Sequence, residues 1–196
     1  MSKVTIQGDA SGTGIFTIAS PNSNTDRTLV LPDEAGTVLT TAGVPASAMP
    51  AGSVIQVVST SSSTGMIVYA DYPQTSGITA SITPSSTSSK IFVIASIQAG
   101  VDSSGTSGNK IALYGIKNNT SGATFGNVRM SGNFNNTGAD MLQEVSLTAL
   151  ESPSSTSTQT YEILYGRLSA TYNNGVLING GGALPSSKIF LMEIAA

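Results

Sequence analysis

The chain has 196 residues, a formal net charge of −3 at pH 7 and only 10% charged residues. With so few cations it has no basic field for nucleic acid or for an anionic membrane surface. Cysteine and histidine are both absent, which excludes disulfides, thiolate metal sites and the commonest catalytic bases and nucleophiles. Low charge combined with many hydroxyl, amide and β-branched side chains favours strands and turns over helices.

Residues 1–42 read as a first unit, a short β-stranded arm. RTLVLP is a strand that ends at a proline, DEAG is a turn, and TVLTT is a last short strand. A few strands of this length cannot enclose a core, so we expect their apolar side chains to contact other chains. The candidate contact residues are Ile15, Phe16, Ile18, Leu29, Leu31, Val38 and Leu39.

The amino terminus, MSKVTIQGDA, lacks the apolar segment and cleavage site of a secretory signal, so we expect synthesis in a cytoplasm. No apolar run approaches the roughly 20 residues of a membrane-spanning helix, so we expect no membrane insertion.

The next two units are a linker and a larger domain. Residues 43–51, GVPASAMPA, contain two prolines and read as a stiff linker. Residues 52–196 read as one all-β domain, because turn signals recur about every 8 to 15 residues, as in a sandwich or barrel. The predicted strands are 53–59, 65–70, 77–83, 90–99, 110–117, 124–132, 141–150, 158–168, 175–179 and 188–195.

Two of these strands are apolar on both faces. In KIFLMEIA, Phe190 and Met192 alternate with Ile189 and Leu191, and KIFVIASI has the same character. Such strands are either central in a sheet or covered by a neighbouring subunit. The surplus of apolar surface predicts an oligomer.

The dipeptide Asn174-Gly175, in YNNGVL, is a strong signal for a two-residue β-hairpin turn. A type I′ turn needs positive φ at both central residues, which asparagine and glycine tolerate. The sequence therefore predicts a hairpin at this point.

The sequence contains few side chains that could act in catalysis or bind a metal. Carboxylates in the larger domain could act in pairs, as in glycosidases, but their spacing brings no two of them together on one face. We therefore expect no catalytic residues, no metal site and no cofactor. The carboxylates considered are Asp71, Asp102, Asp140, Glu144, Glu151, Glu162 and Glu193.

Two loop segments, 115–127 and 131–140, combine asparagine, glycine, serine and phenylalanine. This composition suits adaptable hydrogen bonding with aromatic contact, as in sugar- or protein-binding loops. It is equally ordinary for a solvated loop, and the residues alone leave both readings open.

Residues 12–41, GTGIFTIASPNSNTDRTLVLPDEAGTVLTT, resemble a segment common in fibre and appendage proteins of tailed bacteriophages. The parts that carry the resemblance are ASPNSNTDRTL and LPDEAGTVLTT. Residues 52–196 look like the β-rich head domain that often follows, through AGSVIQVVST, SITPSSTSSKIFV and SSKIFLMEIAA. The resemblance spans nearly the whole chain, although this sequence lacks an extended shaft between its two parts.

The resemblance implies a homotrimer with a jelly-roll-like head and no catalytic residues. It implies that the apolar residues of the arm attach to other virion proteins, capsid or tail subunits, or contact each other in the trimer. Three roles stay open: a short fibre whose head touches a host glycan or protein, a capsid decoration (cement) protein, and a surface polysaccharide depolymerase. The absence of histidine and of paired carboxylates argues against the depolymerase.

Overall fold

A computed structural model describes residues 11–15, 17, 22, 24–26, 28, 44, 48–102, 108–134, 141–180 and 186–196. The chain divides into two compact units, Met1–Val38 and Leu39–Ala196. The predicted boundary, an arm over 1–42 followed by a linker over 43–51, falls largely outside the described residues. In the described part of the chain no helix is long and apolar enough to cross a membrane.

Sheet A of the second unit is antiparallel and centred on strand β4. Strand β7 pairs along one side of β4, and the other side pairs with β10 near the start of β4 and with β9 near its end. Strand β1 pairs with β10, and β2 pairs with β9. The strands of sheet A are β1 (Val54–Ser62), β2 (Met66–Val68), β4 (Lys90–Asp102), β7 (Met141–Glu151), β9 (Gly175–Ile178) and β10 (Ser187–Ile194).

Sheet B has four strands in the order β3-β8-β5-β6, and every neighbouring pair is antiparallel. The strands of sheet B are β3 (Gln74–Ile82), β5 (Gly108–Asn118), β6 (Thr124–Phe134) and β8 (Gln159–Arg167). All ten predicted strands are therefore present, with changes of a few residues at their ends.

The two sheets pack face to face as a jelly roll. If β9 and β10 are taken as one interrupted strand, sheet A has the order β1-β10-β4-β7 and sheet B has the order β3-β8-β5-β6. Most connections cross from one sheet to the other, as the Greek keys of a jelly roll require. The predicted all-β sandwich is confirmed. The two apolar strands, expected to be either central or covered by a neighbouring subunit, are β4 and β10, and both are central in sheet A.

The strands of the sandwich run between two ends. Gly52 N donates to Ala195 O (2.8 Å) and Ala195 N donates to Ser53 O (2.9 Å), so the chain enters beside the end of its last strand. We call this the proximal end, and it also holds the connections 83–89, 119–123 and 152–158. The opposite, distal end holds the connections 69–73 and 168–174.

The core lies between the sheets and follows the alternation of the strands. In β4 the odd-numbered side chains from Ile91 to Val101 are buried, and in β8 Tyr161, Ile163 and Tyr165 point inward. This matches the period of two expected for a strand with one buried face. Side chains from both sheets meet here and exclude water, which is the main stabilising contribution for a domain of this size.

Tyr114 joins the two sheets through its hydroxyl group. Its ring is fully buried on β5, and the hydroxyl accepts a hydrogen bond from Gly100 N (2.9 Å) on β4. The carbonyl oxygens of Gly100 and Leu177 lie 2.8 and 2.9 Å away and share the phenolic proton. Burial raises the pKa of Tyr114, so the hydroxyl remains a donor at any ordinary pH.

The prediction of a β-hairpin at Asn174-Gly175 is wrong. Strand β8 lies in sheet B and β9 lies in sheet A, and they are joined through a short 3-10 helix, Ala170–Tyr172. Asn173 takes the left-handed conformation there (φ 34°), and Gly175 is the first residue of β9. The dipeptide is a local signal, whereas the packing of the core decides which strands pair.

Candidate functional site

The outer face of sheet A carries a row of apolar side chains at its proximal end. The pairing register places Val57, Met192, Phe92 and Leu150 side by side on four adjacent strands. The two ends of this row are the most exposed, with Val57 at 55% and Leu150 at 58% of their full accessible surface. Their neighbours on the same strands, such as Val58, point inward and pack on the core, so the outer row is surplus to the core.

The next row toward the distal end is mixed, and together the two rows form what we call the proximal apolar band. Phe190 and Ile94 occupy the two central strands, flanked by Ser59 and Thr148 at the edges. Phe190 and Ile94 are half-buried. The band thus covers four strands and leaves six apolar side chains on an outer surface.

The middle of the same face is polar. Ser61, Lys188, Ser96 and Ser146 form the third row. In the fourth row Glu144 lies on β7, where its Oε1 accepts a hydrogen bond from Ser96 Oγ (2.6 Å). Small serine side chains surround the two charges, so neither is covered by its neighbours.

A second apolar row, the distal apolar row, closes the face at its other end. Ile67, Leu177, Gly100 and Leu142 are paired across β2, β9, β4 and β7. A Cβ atom on Gly100 would lie 2.6 Å from Leu142 Cδ2 and 3.1 Å from Leu177 Cβ, so both leucines lie over the glycine backbone. Ile67 and Leu142, at the two sides, are 46% and 37% exposed.

The outer face of sheet B provides an internal comparison. Its central row is Thr79, Glu162, Lys117 and Thr124. The carboxylate of Glu162 is buried under hydrogen bonds from Gly77 N (2.8 Å) and Asn119 Nδ2 (2.8 Å). The central row is polar, as expected of a solvated sheet, and the apolar Leu164 on the same face is buried, whereas the outer face of sheet A leaves apolar side chains exposed.

The proximal end contains a cleft of about 370 Å³ next to a buried carboxylate. Glu193 is fully buried and accepts hydrogen bonds from Gln56 Nε2 (2.6 Å), Ser85 N (2.7 Å) and Ser85 Oγ (2.6 Å). Burial raises the pKa of Glu193, but the hydrogen bonds from Gln56 and Ser85 outweigh it and hold the pKa below the ordinary value. The cleft is lined by Met49, Ile55, Ser85, Ser86, Ser88, Ser89, Ala195 and Ala196.

Two carboxylates do share one face of sheet A, which the sequence did not lead us to expect. Glu151 and Glu193 flank Ile91 from the two neighbouring strands, all three facing the interior. Glu151 Oε2 accepts hydrogen bonds from Tyr161 Oη (2.6 Å) and Asn118 Nδ2 (2.9 Å). The expectation of no shared face was wrong, because strand register decides it and sequence spacing does not.

Glu193 and the Oε2 atom of Glu151 accept hydrogen bonds from donors of the interior, and Glu151 Oε1 accepts one from Ser121 Oγ (3.3 Å). The general acid of a glycosidase has a raised pKa, whereas the pKa of Glu193 is lowered, so Glu193 is not suited to be that acid. Burial together with the bond to Glu151 raises the pKa of Tyr161. Among the described residues no group of three acidic, histidine or cysteine side chains could hold a metal ion.

The predicted contact residues of the arm fall almost entirely outside the described residues. Ile15 lies within them and is 93% exposed. The residues outside them are Phe16, Ile18, Leu29, Leu31, Val38 and Leu39.

The two loop segments singled out for their composition are described in part. The turn within 115–127, residues 119–123, is at the proximal end, held by Ser121 Oγ donating to Glu151 Oε1 (3.3 Å). Of 131–140, residues 131–134 belong to β6 where that strand runs toward the distal end, and 135–140 lie outside the described residues.

Sequence reasoning placed the candidate contact residues in the arm and did not identify the exposed apolar row on sheet A. Alternation identified the two-sided apolar strands, but Val57 and Leu150 sit on edge strands whose patterns look ordinary. Once β1 and β7 are known to flank the two central strands, the row follows from the register. That adjacency is a long-range pairing, and no local signal encodes it.

Comparison with known proteins gives no further assignment. The sequence matches no protein-family model, and no curated protein is significantly similar to it.

Proposed function

We propose that the protein is a non-enzymatic structural subunit of a bacteriophage particle, a short trimeric fibre or surface appendage assembled through the outer face of sheet A. The observation that carries the assembly is the proximal apolar band, where Val57, Phe92, Met192 and Leu150 line an outer surface. The phage assignment and the number three are supported by the resemblance of residues 12–41 and 52–196 to appendage proteins.

The contrast between the two outer faces supports assembly through sheet A. Burying apolar area contributes roughly 25 cal/mol per Å², and the exposed halves of Val57 and Leu150 gain this only when another surface covers them. The outer face of sheet B has a polar central row, Thr79, Glu162 and Lys117, and its apolar Leu164 is already buried, so that face gains less from being covered. In the assembly we propose, sheet A faces the partner chains and sheet B faces solvent.

The arm would join the trimer to other virion proteins, either tail or capsid subunits. The head would then present its distal end, opposite the point of chain entry at Ser53, to a host glycan or protein. A second role, a capsid decoration protein, fits the same structure, because the short linker over 43–51 leaves no room for a long shaft. The depolymerase role has no support in the geometry of Glu151 and Glu193.

The test is the mass of the purified chain by light scattering at micromolar concentration. We expect three times the 19.8 kDa of one chain. Leu150→Glu places a charge in the proximal apolar band and is expected to give monomer or a large loss of trimer. The matched control is Ser81→Glu on the outer face of sheet B, which should remain trimeric. A monomeric wild-type chain, or equal effects of the two variants, would contradict the proposal.

A further inference from the structure

A hollow on the outer face of sheet A is suited to receive an acidic side chain. It has a volume of about 270 Å³ and is lined by Ser59, Thr60, Ser61, Phe190 and Lys188. The ammonium group of Lys188 is the charge in this lining, and three hydroxyl groups accompany it as further donors. The ion pair in the described part of the chain is Arg167–Asp71, so Lys188 carries a charge that no described acid balances.

Glu144 is the exposed acidic side chain on the same face of sheet A, where Asp102 is buried beside Gly175 and accepts a hydrogen bond from Tyr69 Oη. It is exposed on β7, two strands from Lys188, and its Oε1 accepts a hydrogen bond from Ser96 Oγ (2.6 Å) on β4, the strand between them. This bond leaves Oε2 free to accept from another partner. The hollow and the carboxylate are therefore complementary in charge and lie on different sides of one face.

We propose that Glu144 of one copy enters the Lys188 hollow of the next copy and forms an ion pair there. This inference rests on the proposed trimer. A closed ring uses heterologous contacts, in which one patch of a chain meets a different patch of its neighbour. Here the β1 side of one chain would meet the β7 side of the next. The hollow lies on the first side and Glu144 lies on the second.

The apolar residues of the face support this arrangement, because each apolar residue on the β1 side has an apolar counterpart on the β7 side in the same row. In the proximal apolar band Val57 is on the β1 side and Leu150 is on the β7 side of one row. In the distal apolar row Ile67 and Leu142 take the corresponding positions. A rotation axis parallel to the strands keeps these heights and brings apolar side chains together above and below the ion pair.

The charges also set the register of the contact. A charge buried at an interface without a partner is strongly unfavourable, whereas a paired and hydrogen-bonded one is tolerated. Glu144 lies one row from Lys188 along the strands, within reach of two long side chains, whereas a shift that brought the proximal apolar band of the neighbour to Lys188 would bury the charge against apolar groups. The ion pair thus disfavours such shifted alignments, in the way that polar groups fix register elsewhere.

The experiment is a charge exchange, read as trimer dissociation by light scattering over a dilution series and by native mass spectrometry. Lys188→Glu and Glu144→Lys are each expected to raise the dissociation constant at least about tenfold, the scale of one lost interfacial charge pair. The double variant should return near the wild-type value. Lys117→Glu, on the outer face of sheet B, is the matched control and should leave the trimer unchanged.

Mixing separates a contact between chains from one within a chain. Equal amounts of the Lys188→Glu and Glu144→Lys proteins should form mixed trimers that are more stable than either variant alone, because an ion pair between chains is restored. No gain on mixing would place the pair within one chain and overturn the inference. Single variants that match wild type, with the wild-type trimer intact, would also overturn it but leave the proposed function standing. A monomeric wild type would remove both.

Discussion

Glu193 shows how a buried charge can be tolerated in a chain with few charged residues. Its three hydrogen bonds come from β1, through Gln56, and from the connection between β3 and β4, through Ser85. Gln56 Nε2 also donates to Thr83 O (2.7 Å), which ties the same two segments again. The carboxylate therefore fixes the proximal end of the sandwich, where the chain enters and where strand β10 ends.

We expect Glu193→Gln to lower the free energy of unfolding by about 1–3 kcal/mol at pH 7, because it leaves donors facing each other in a buried site. The pKa of Glu193 is lowered in the folded state, so its stabilisation is present above the ordinary pKa of 4.5 and is lost as the pH falls through the folded pKa. Urea unfolding of both proteins should show a difference at pH 7 that shrinks below pH 4.5.

A double-mutant cycle with Gln56→Ala controls for unrelated effects of the substitution. Because both variants break the same hydrogen bond, their effects on the free energy of unfolding should not add. Additive effects, or a difference that is the same at every pH, would show that Glu193 is not the anchor we describe.

At the scale of the element, the connection between β2 and β3 lies over the outer face of sheet B. Tyr72 N donates to Arg167 O (2.8 Å), and Tyr72 Oη donates to Asn127 Oδ1 (2.7 Å) on β6. Two glycines make room for the tyrosine. A Cβ atom on Gly166 would lie 2.7 Å from the Cα and N atoms of Tyr72, and one on Gly115 would collide with the end of its ring.

These contacts predict a difference between two similar substitutions. Gly166→Ala meets backbone and should lower the free energy of unfolding by about 1–3 kcal/mol, as overpacking does. Gly115→Ala meets the movable end of the Tyr72 ring and should cost less. In a Tyr72→Ala background, the Gly115→Ala penalty should fall toward zero and the Gly166→Ala penalty should remain, as measured by urea unfolding. Equal rescue of both variants would contradict this account.

The strands could be predicted from the sequence, whereas their partners could not. Period-two alternation, as in Tyr161, Ile163 and Tyr165, is a local property that the core later confirms. The hairpin at Asn174-Gly175 failed because turn chemistry is also local and cannot tell which sheet the next strand joins. The juxtaposition of Glu151 and Glu193 was missed for the same reason, since they meet only through their common neighbour Ile91.

At the scale of the whole molecule, the surplus of apolar β-surface was predictable but its position was not. The strands β4 and β10, apolar on both faces, predicted apolar surface that one chain cannot bury. The structure places their outward side chains on one face of sheet A. The candidate contacts proposed in the arm remain predictions, since Ile15 is the one described among them. The sheet A face is a second proposed contact surface, in a different unit of the chain.

The last prediction concerns where the protein would sit on the proposed phage particle, on the tail or on the shell. A tail fibre occupies a few symmetric positions, whereas a decoration protein binds repeatedly over the shell. A decoration protein also stabilises the shell, because it binds the assembled form and not the disrupted one.

We expect few copies per particle, measured by gel densitometry of purified particles against the major capsid protein. We also expect no change in the temperature at which the shell is disrupted when the protein is removed. A copy number comparable with that of the shell subunit, together with a lower disruption temperature on removal, would assign the decoration role. Absence of the protein from purified particles would contradict both virion roles. The proposed trimer formed through sheet A would then have to function outside a phage particle.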